Sequence, residues 1–255
     1  MKPFLLFLLL VPYLLPAQVT DQQSVSLSVN PFYQENIEGI ISGNKHAALG
    51  IALEGAWQKG GPNSTQSFGL ELGFAKPKTA LEPAAYSTWL GLKFQYEYLR
   101  ELKQVNTFRL LAGGMAQASY RIGYYPNWDD SHAYWTSFIG GGVSAKAEQP
   151  MGNQKSLFAA FDLPLTGALS RPPASRTYKI ENSSASNLIA ISHRQLQLAT
   201  LNHYFNPRLA LGIHLGGSPS FSTRFYYCFQ YVRVTTSYSP AYRQLTQGVG
   251  ISFIF

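Results

Sequence analysis

Three groups of residues in this chain are of types that could do chemistry. Ser192-His193, His203, and His214 with Ser218 supply hydroxyls and imidazoles. In a hydrolytic site a base activates a hydroxyl nucleophile and a third group orients the base. His203 and His214 flank Asn206-Pro207, so the two could sit on neighbouring strands. Against a nucleophilic site, the chain has no Gly-x-Ser-x-Gly turn. His214 also falls on the same side of its segment as Ala210 and Gly212, opposite Leu211 and Ile213. No catalytic residue is assigned. Asp129, Asp130 and His132 could hold a cation. Their order lacks the ligand spacing of a calcium loop, no His-Glu-x-x-His is present, and Cys228 is the single cysteine. Neither a metal nor another cofactor is expected. The third group is a set of charges, Glu54, Glu71, Lys93, Glu97, Arg109, Arg121 and Asp162, each within an alternating run. They could form ion pairs or line a conduit.

The elements that carry these charges follow from a period of two. Leu49, Ile51 and Leu53 share one side of a segment, with Ala48, Gly50, Ala52 and Glu54 on the other. Phe68, Leu70, Leu72 and Phe74 oppose Gly69, Glu71 and Gly73. Leu90, Leu92, Phe94, Tyr96 and Tyr98 oppose Gly91, Lys93, Gln95 and Glu97. The same scheme recurs at Leu157–Leu165, at Leu209–Leu215 and at Phe221–Tyr231, where Cys228 lies between Tyr227 and Phe229. Isolated charges and glycines therefore gather on one face and large apolar residues on the other. In a soluble sandwich the exterior would be polar, with no reason to collect glycine. A closed barrel, apolar outside and crowded inside, accounts for the mixture. Tyr and Trp near segment ends, such as Trp57, Tyr96, Tyr98 and Tyr204, fit an interfacial girdle.

Composition agrees: 14% of residues are aromatic and only 13% charged, against about 25% charged in ordinary soluble domains. The formal net charge of +7 is spread over single Lys and Arg residues without a stripe, so nucleic acid is not an expected partner. No run after Thr20 is continuously apolar over the roughly 20 residues a helical span requires. A membrane-spanning chain of this kind must close its own backbone hydrogen bonds as a barrel.

Both ends bear on the compartment. Lys2 precedes the apolar run Phe4–Leu15, and Pro16-Ala17-Gln18 offers a small-residue exit, so cleavage is expected after Ala17. At the other end Val249, Ile251, Phe253 and Phe255 alternate with Gly248, Gly250 and Ser252 and finish the chain on an aromatic. This ending resembles the C-terminal insertion signal of bacterial outer-membrane β-barrels, and the Ala-Gln exit resembles signal peptides of the Bacteroidetes. The chain as a whole resembles small outer-membrane barrels of that type. The resemblance implies export, residence in outer-membrane lipid and recognition by the outer-membrane assembly machinery. The chain lacks the motifs of the enzymes in that class, including the His-x-Ser pattern of lipid A deacylases.

The expected fold is all-β, an antiparallel up-and-down transmembrane β-barrel, with residues 1–17 a leader and 18–255 one domain. Segments at 24–33, 47–57, 65–74, 86–99, 105–121, 134–147, 154–165, 188–205, 208–216, 221–235 and 246–255 number eleven, whereas single-chain bacterial barrels are even. Adding 175–181 gives about 12 strands, the count preferred here; dropping the first segment gives ten. Short turns are expected at 100–104, 149–153 and 206–207, and long loops at 35–46, 76–85, 123–133 and 166–187, with 169–186 the most mobile. Glu54, Glu71, Lys93, Glu97, Arg109, Arg121, Asp162 and His214 are expected to face the lumen. The function expected is noncatalytic, either a narrow pore or a structural or surface-interaction component. The alternatives are a barrel enzyme acting on outer-membrane lipid and a secreted, soluble β-sandwich that binds a partner.

Overall fold

The first and last strands of the chain pair with each other, and this closes the sheet. The computed structural model describes residues 22–41, 43–61, 63–79, 87–105, 107–125, 133–152, 154–173, 190, 192–193, 195–218 and 221–255. The strands are β1 (Gln22–Glu38), β2 (His46–Gly60), β3 (Ser64–Ala75), β4 (Lys78–Thr79), β5 (Thr88–Val105), β6 (Phe108–Tyr124), β7 (Ala133–Gly152), β8 (Lys155–Ser170), β9 (Gln197–Thr200), β10 (Tyr204–Phe205), β11 (Arg208–Ser218), β12 (Phe221–Val234) and β13 (Tyr242–Ile254). Ten of them form an antiparallel ring, β1-β2-β3-β5-β6-β7-β8-β11-β12-β13 and back to β1. Val29 of β1 faces Leu53 on one side and Ile251 on the other, so closure keeps the apolar phase continuous around the wall. Closing the ring removes the edge strands that an open sheet would expose.

The strand number is ten, not twelve. The first expected segment is a full wall strand. The miscounted segment is 188–205, which supplies only β9 and β10 among the described residues. β9 continues the edge of β8 and β10 that of β12, above the point where β11 begins. β4 likewise takes up the pairing with β2 that β3 leaves at Ala75. Residues 1–21 and 175–181 lie outside the described residues, and with them the expected leader, its exit after Ala17 and the proposed twelfth strand.

The start of β1 and the end of β13 share a rim with the four short hairpins β2–β3, β5–β6, β7–β8 and β11–β12. Val25 and Phe255 exchange backbone hydrogen bonds there at 2.9 and 3.1 Å. The other rim carries the longer connections. Two expected turns move. Residues 100–104 are strand with a bulge between Glu101 and Lys103, and the chain turns after Val105. Asn206-Pro207 lies on the long-loop side but below the rim, where it links β10 to β11.

The outer face presents Leu27, Val29, Leu53, Phe68, Phe94, Leu157, Leu211, Phe225 and Ile251. β7 has 20 residues, roughly 60 Å of extended chain, while an apolar band of such barrels is about 25 Å tall. The wall therefore continues beyond the band on the long-loop side. Above it, the six residues from Ala133 to Phe138 are all buried, on both faces of β7. Trp135 Nε1 donates to Ser170 Oγ at 3.4 Å, and Ser137 Oγ donates to the Ser192 carbonyl at 2.7 Å on the outside.

Several inward glycines share one physical role. Aromatic rings rooted on the inner face lie across them. A Cβ at Gly73 would come within 2.8 Å of the Trp89 ring, and Gly91 is covered by the same indole. Gly50 is covered by the Phe32 ring, and Gly140 and Gly167 by that of Phe138. Glycine is needed at these positions for close approach rather than for backbone freedom.

Candidate functional site

The interior is crossed by side chains. In the half nearer the short turns, Lys93 Nζ lies 3.3 Å from Glu71, and Arg208 lies 3.3 Å from Glu54 and 3.6 Å from Glu71. β11 and β3 are five strands apart either way round the ring of ten, so Arg208 and Glu71 span its diameter. A second cluster forms on Glu97, which accepts from Lys146 at 2.7 Å, Ser67 at 2.9 Å and Gln95 at 2.6 Å. Ser144 joins it to Asp162 at 2.6 Å. Arg208 Nε also donates to Cys228 Sγ at 3.4 Å. A cavity of about 160 Å³ remains between these groups.

The long-loop half is filled differently. Phe138, Leu169, Ala199, Tyr204, Val232, Val234 and Tyr242 form a buried cluster, with Phe138 and Tyr204 stacked at 4.0 Å between centroids. Arg171, 0% exposed, is the charged centre of this half. Its guanidinium donates to Glu38 at 2.6 Å, Thr136 at 3.1 Å and Ser239 at 3.4 Å, and lies over the Tyr242 ring at 5.4 Å. At the rim, His46 meets Tyr125 edge-on at 5.7 Å, and Tyr125 meets Tyr134. Burial holds the His46 imidazole below its ordinary pKa and pushes the Tyr125 phenol well above its own.

The residues singled out in the sequence divide accordingly. Glu54, Glu71, Lys93, Glu97 and Asp162 line one cavity and are bridged as described. Arg109 pairs with Glu101 at 2.8 Å near the short-turn rim. Arg121 points into the long-loop half, where it donates to the Tyr204 hydroxyl at 3.1 Å instead of to a carboxylate. That hydroxyl is also 3.3 Å from Ser119 and 2.8 Å from Asn206. His214 lies on the inner face of β11, level with Ser156 and Arg224. It is on β11 well below His203, which follows β9 in the turn before β10, so the two histidines do not meet. Ser192 Oγ is 3.3 Å from His193 Nδ1, and His193 Nε2 is 3.2 Å from the Tyr120 hydroxyl. Asp129, Asp130 and His132 lie outside the described residues; among those described, no three His, Cys, Asp or Glu side chains are grouped to hold a metal. Val249, Ile251, Phe253 and Phe255 point outward, with Phe221 stacked on Phe253 and tilted against Phe255.

Sequence reading missed Lys146, Arg208 and Arg224 as partners, although the alternation that picked out Lys93 places them on the same face. Arg171 and Glu38 had no comparable signal. Arg171 is the third residue of the stretch 169–186 expected to be the most mobile loop, yet Leu169, Ser170 and Arg171 are all wholly buried. A register shift opposite Gly141 and Gly142 in β8 resets the alternation before it.

No family model matches the chain, and no curated relative is similar to it in sequence. Solved structures do match. The outer-membrane protease OmpT from Escherichia coli aligns with a TM-score of 0.55 at 9% identity, over 94% of this chain and 99% of that one. The fold is that of an outer-membrane β-barrel. The translocator domain of the autotransporter NalP from Neisseria meningitidis aligns more loosely, with a TM-score of 0.44 and 11% identity over 96% of this chain and 92% of that one. Neisserial surface protein A aligns with a TM-score of 0.34 and 7% identity over 89% of this chain and 95% of that one. Proteolysis belongs to the first of these neighbours; at 9% identity the likeness to it is one of fold.

Proposed function

We propose that this protein is a noncatalytic integral component of a bacterial outer membrane that acts through its exposed surfaces, its lumen being closed to solutes. The carrying observation is the bridge from Arg208 to Glu71 across the full diameter, backed by the buried long-loop half around Arg171. A ring of about ten strands leaves a narrow interior to begin with, and here side chains from opposite walls meet within it. Of the two roles expected from sequence, a pore and a structural or surface component, this filling supports the second. The rim with the short turns, the start of β1 and the end of β13 faces the periplasm in this reading, as short turns do in such barrels. The mature chain begins near Gln18, and the outward row ending at Phe255 engages lipid and the assembly machinery.

Single-channel recording on protein refolded into planar bilayers tests the closed lumen. Silence is expected, and stable ohmic steps at modest voltage would overturn it. Mass spectrometry of envelope fractions tests the leader, with an intact N-terminus the adverse result. The approach of Ser192 to His193 at 3.3 Å favours a second reading, hydrolysis of outer-membrane lipid. Lipid turnover lost in Ser192→Ala would establish that reading in place of the first.

A further inference from the structure

Among the described residues, one cation lining the lower cavities is left out of their ion pairs. The short-turn mouth opens into a cavity of about 590 Å³ whose lining includes Gln58, Arg109, Lys146, Glu148, His214 and Arg224. It shares Lys146, Phe158 and Arg224 with the smaller cavity below the Arg208 bridge. Among the described residues, every other lysine or arginine lining the two cavities has a carboxylate close by. Lys93 has Glu71 at 3.3 Å, Arg109 has Glu101 at 2.8 Å, Lys146 has Glu97 at 2.7 Å and Arg208 has Glu54 at 3.3 Å. Arg224 has none within 4 Å. Its guanidinium lies over the Phe158 ring, 5.5 Å from the centroid, and its Nε is buried without an acceptor. Directly across the strand pair, His214 also has a buried Nε2 without a partner. Among the described residues, Glu148 is the single acidic side chain lining the mouth.

A guanidinium packed over a ring has its fork of donors restrained, and that fork matches the oxygens of a phosphate group. Buried donors without acceptors are costly, so a ligand that brings acceptors recovers the cost. The mouth is also of the size that holds small molecules, about 300–1,000 Å³. We propose that the short-turn mouth binds a phosphate group, with Arg224 as the primary donor and His214 as the second. The site does not depend on whether the barrel conducts. The group could belong to a free phosphate or to an anionic phospholipid headgroup reaching in from the inner leaflet, and the two sources are separable.

The full chain, refolded in a zwitterionic detergent, is titrated calorimetrically with inorganic phosphate, and in parallel reconstituted into vesicles with and without phosphatidylglycerol. Saturable binding of phosphate is expected, weakened at least about tenfold by Arg224→Gln and less by Arg224→Lys. Glu148→Gln removes the competing carboxylate and should tighten binding several-fold. Heat-modifiable gel mobility verifies that each variant is folded. Binding confined to phosphatidylglycerol vesicles, and lost in Arg224→Gln, supports the site with lipid as the source. Equal binding by wild type and Arg224→Gln, or no saturable binding in either arm, overturns the proposal. If Arg224→Gln does not fold, Glu148→Gln decides alone: unchanged affinity overturns it.

Discussion

From Glu54 down to the short turns, the inner face of the barrel carries charges and open volume, whereas from Phe32 and Trp89 up to the long loops it carries stacked rings and aliphatic chains packed around buried polar groups such as Gln34, Asn36, Arg171 and Gln244. The same ring of strands encloses both. What differs is the medium outside. The short-turn half presents Leu, Phe and Ile to lipid, so its polar groups have only the interior to occupy, and a mouth open to water softens the cost of gathering them there. The long-loop half rises beyond the apolar band and is covered in part by its own chain. It must be held as a soluble domain is held, by a dry core. An unpaired charge in such a core is costly, and Arg171 is held by Glu38, Thr136, Ser239 and the Tyr242 ring.

The largest effect should come from breaking that satisfaction. Arg171→Met leaves Glu38 buried without its partner and should cost about 3–5 kcal/mol. The double variant with Glu38→Gln should regain much of the loss. Urea unfolding of the refolded protein measures both, and a single variant no weaker than a surface substitution would mean that the long-loop half has no dry core. Next in size, Phe94→Arg places a charge in the lipid-facing band and should cost about 2–4 kcal/mol near the midplane. Leu245→Arg, on an outward position level with Glu35 above the band, should cost far less. Vesicle refolding titrations giving equal costs would erase the distinction in outside medium on which the comparison rests.

Arg208→Gln should be milder, about 1–3 kcal/mol, because water at the mouth can reach the carboxylates it leaves. It should remain electrically silent, since the long-loop half stays closed. Conductance should appear only when Arg171→Met is added, and a conducting Arg208→Gln single variant would put the whole seal in the lower half. The smallest effect concerns pH. Burial lowers the His46 pKa from its ordinary 6.5, so the unfolded rim binds a proton more readily than the folded one. The contribution is complete above about pH 6.5 and falls as the pH drops towards the folded value. Amide exchange at the long-loop rim should rise over that range, and His46→Gln should flatten the response there. An increase of equal size in His46→Gln would assign it to another group.

The facing of residues was legible from the sequence wherever a strand keeps strict alternation, because a period of two leaves only two choices and Leu and Phe reveal which side is apolar. Glu71 and Lys93 were placed in one group by that rule before any fold was known. Strand number was less legible. Segment 188–205 carries enough apolar residues to pass for a wall strand, but β9 and β10 extend the edges of β8 and β12 without crossing the wall, and nothing local distinguishes the two cases. The bulge in β8 reverses the phase, so alternation continued from Phe161 and Leu163 would have pointed Arg171 outward.

Alternation, turn chemistry and the apolar final strand are local properties, so the sequence alone determined that this chain would close into a barrel with charges on the inside. Which charges meet is not local. Arg171 and Glu38 are 133 residues apart, and Arg208 and Glu54 are 154. They meet only because a closed ring brings distant strands face to face across a narrow lumen. The tertiary structure therefore decided that the lower interior would be bridged by ion pairs and the upper one filled as a dry core, since each depends on the medium outside the wall at that height.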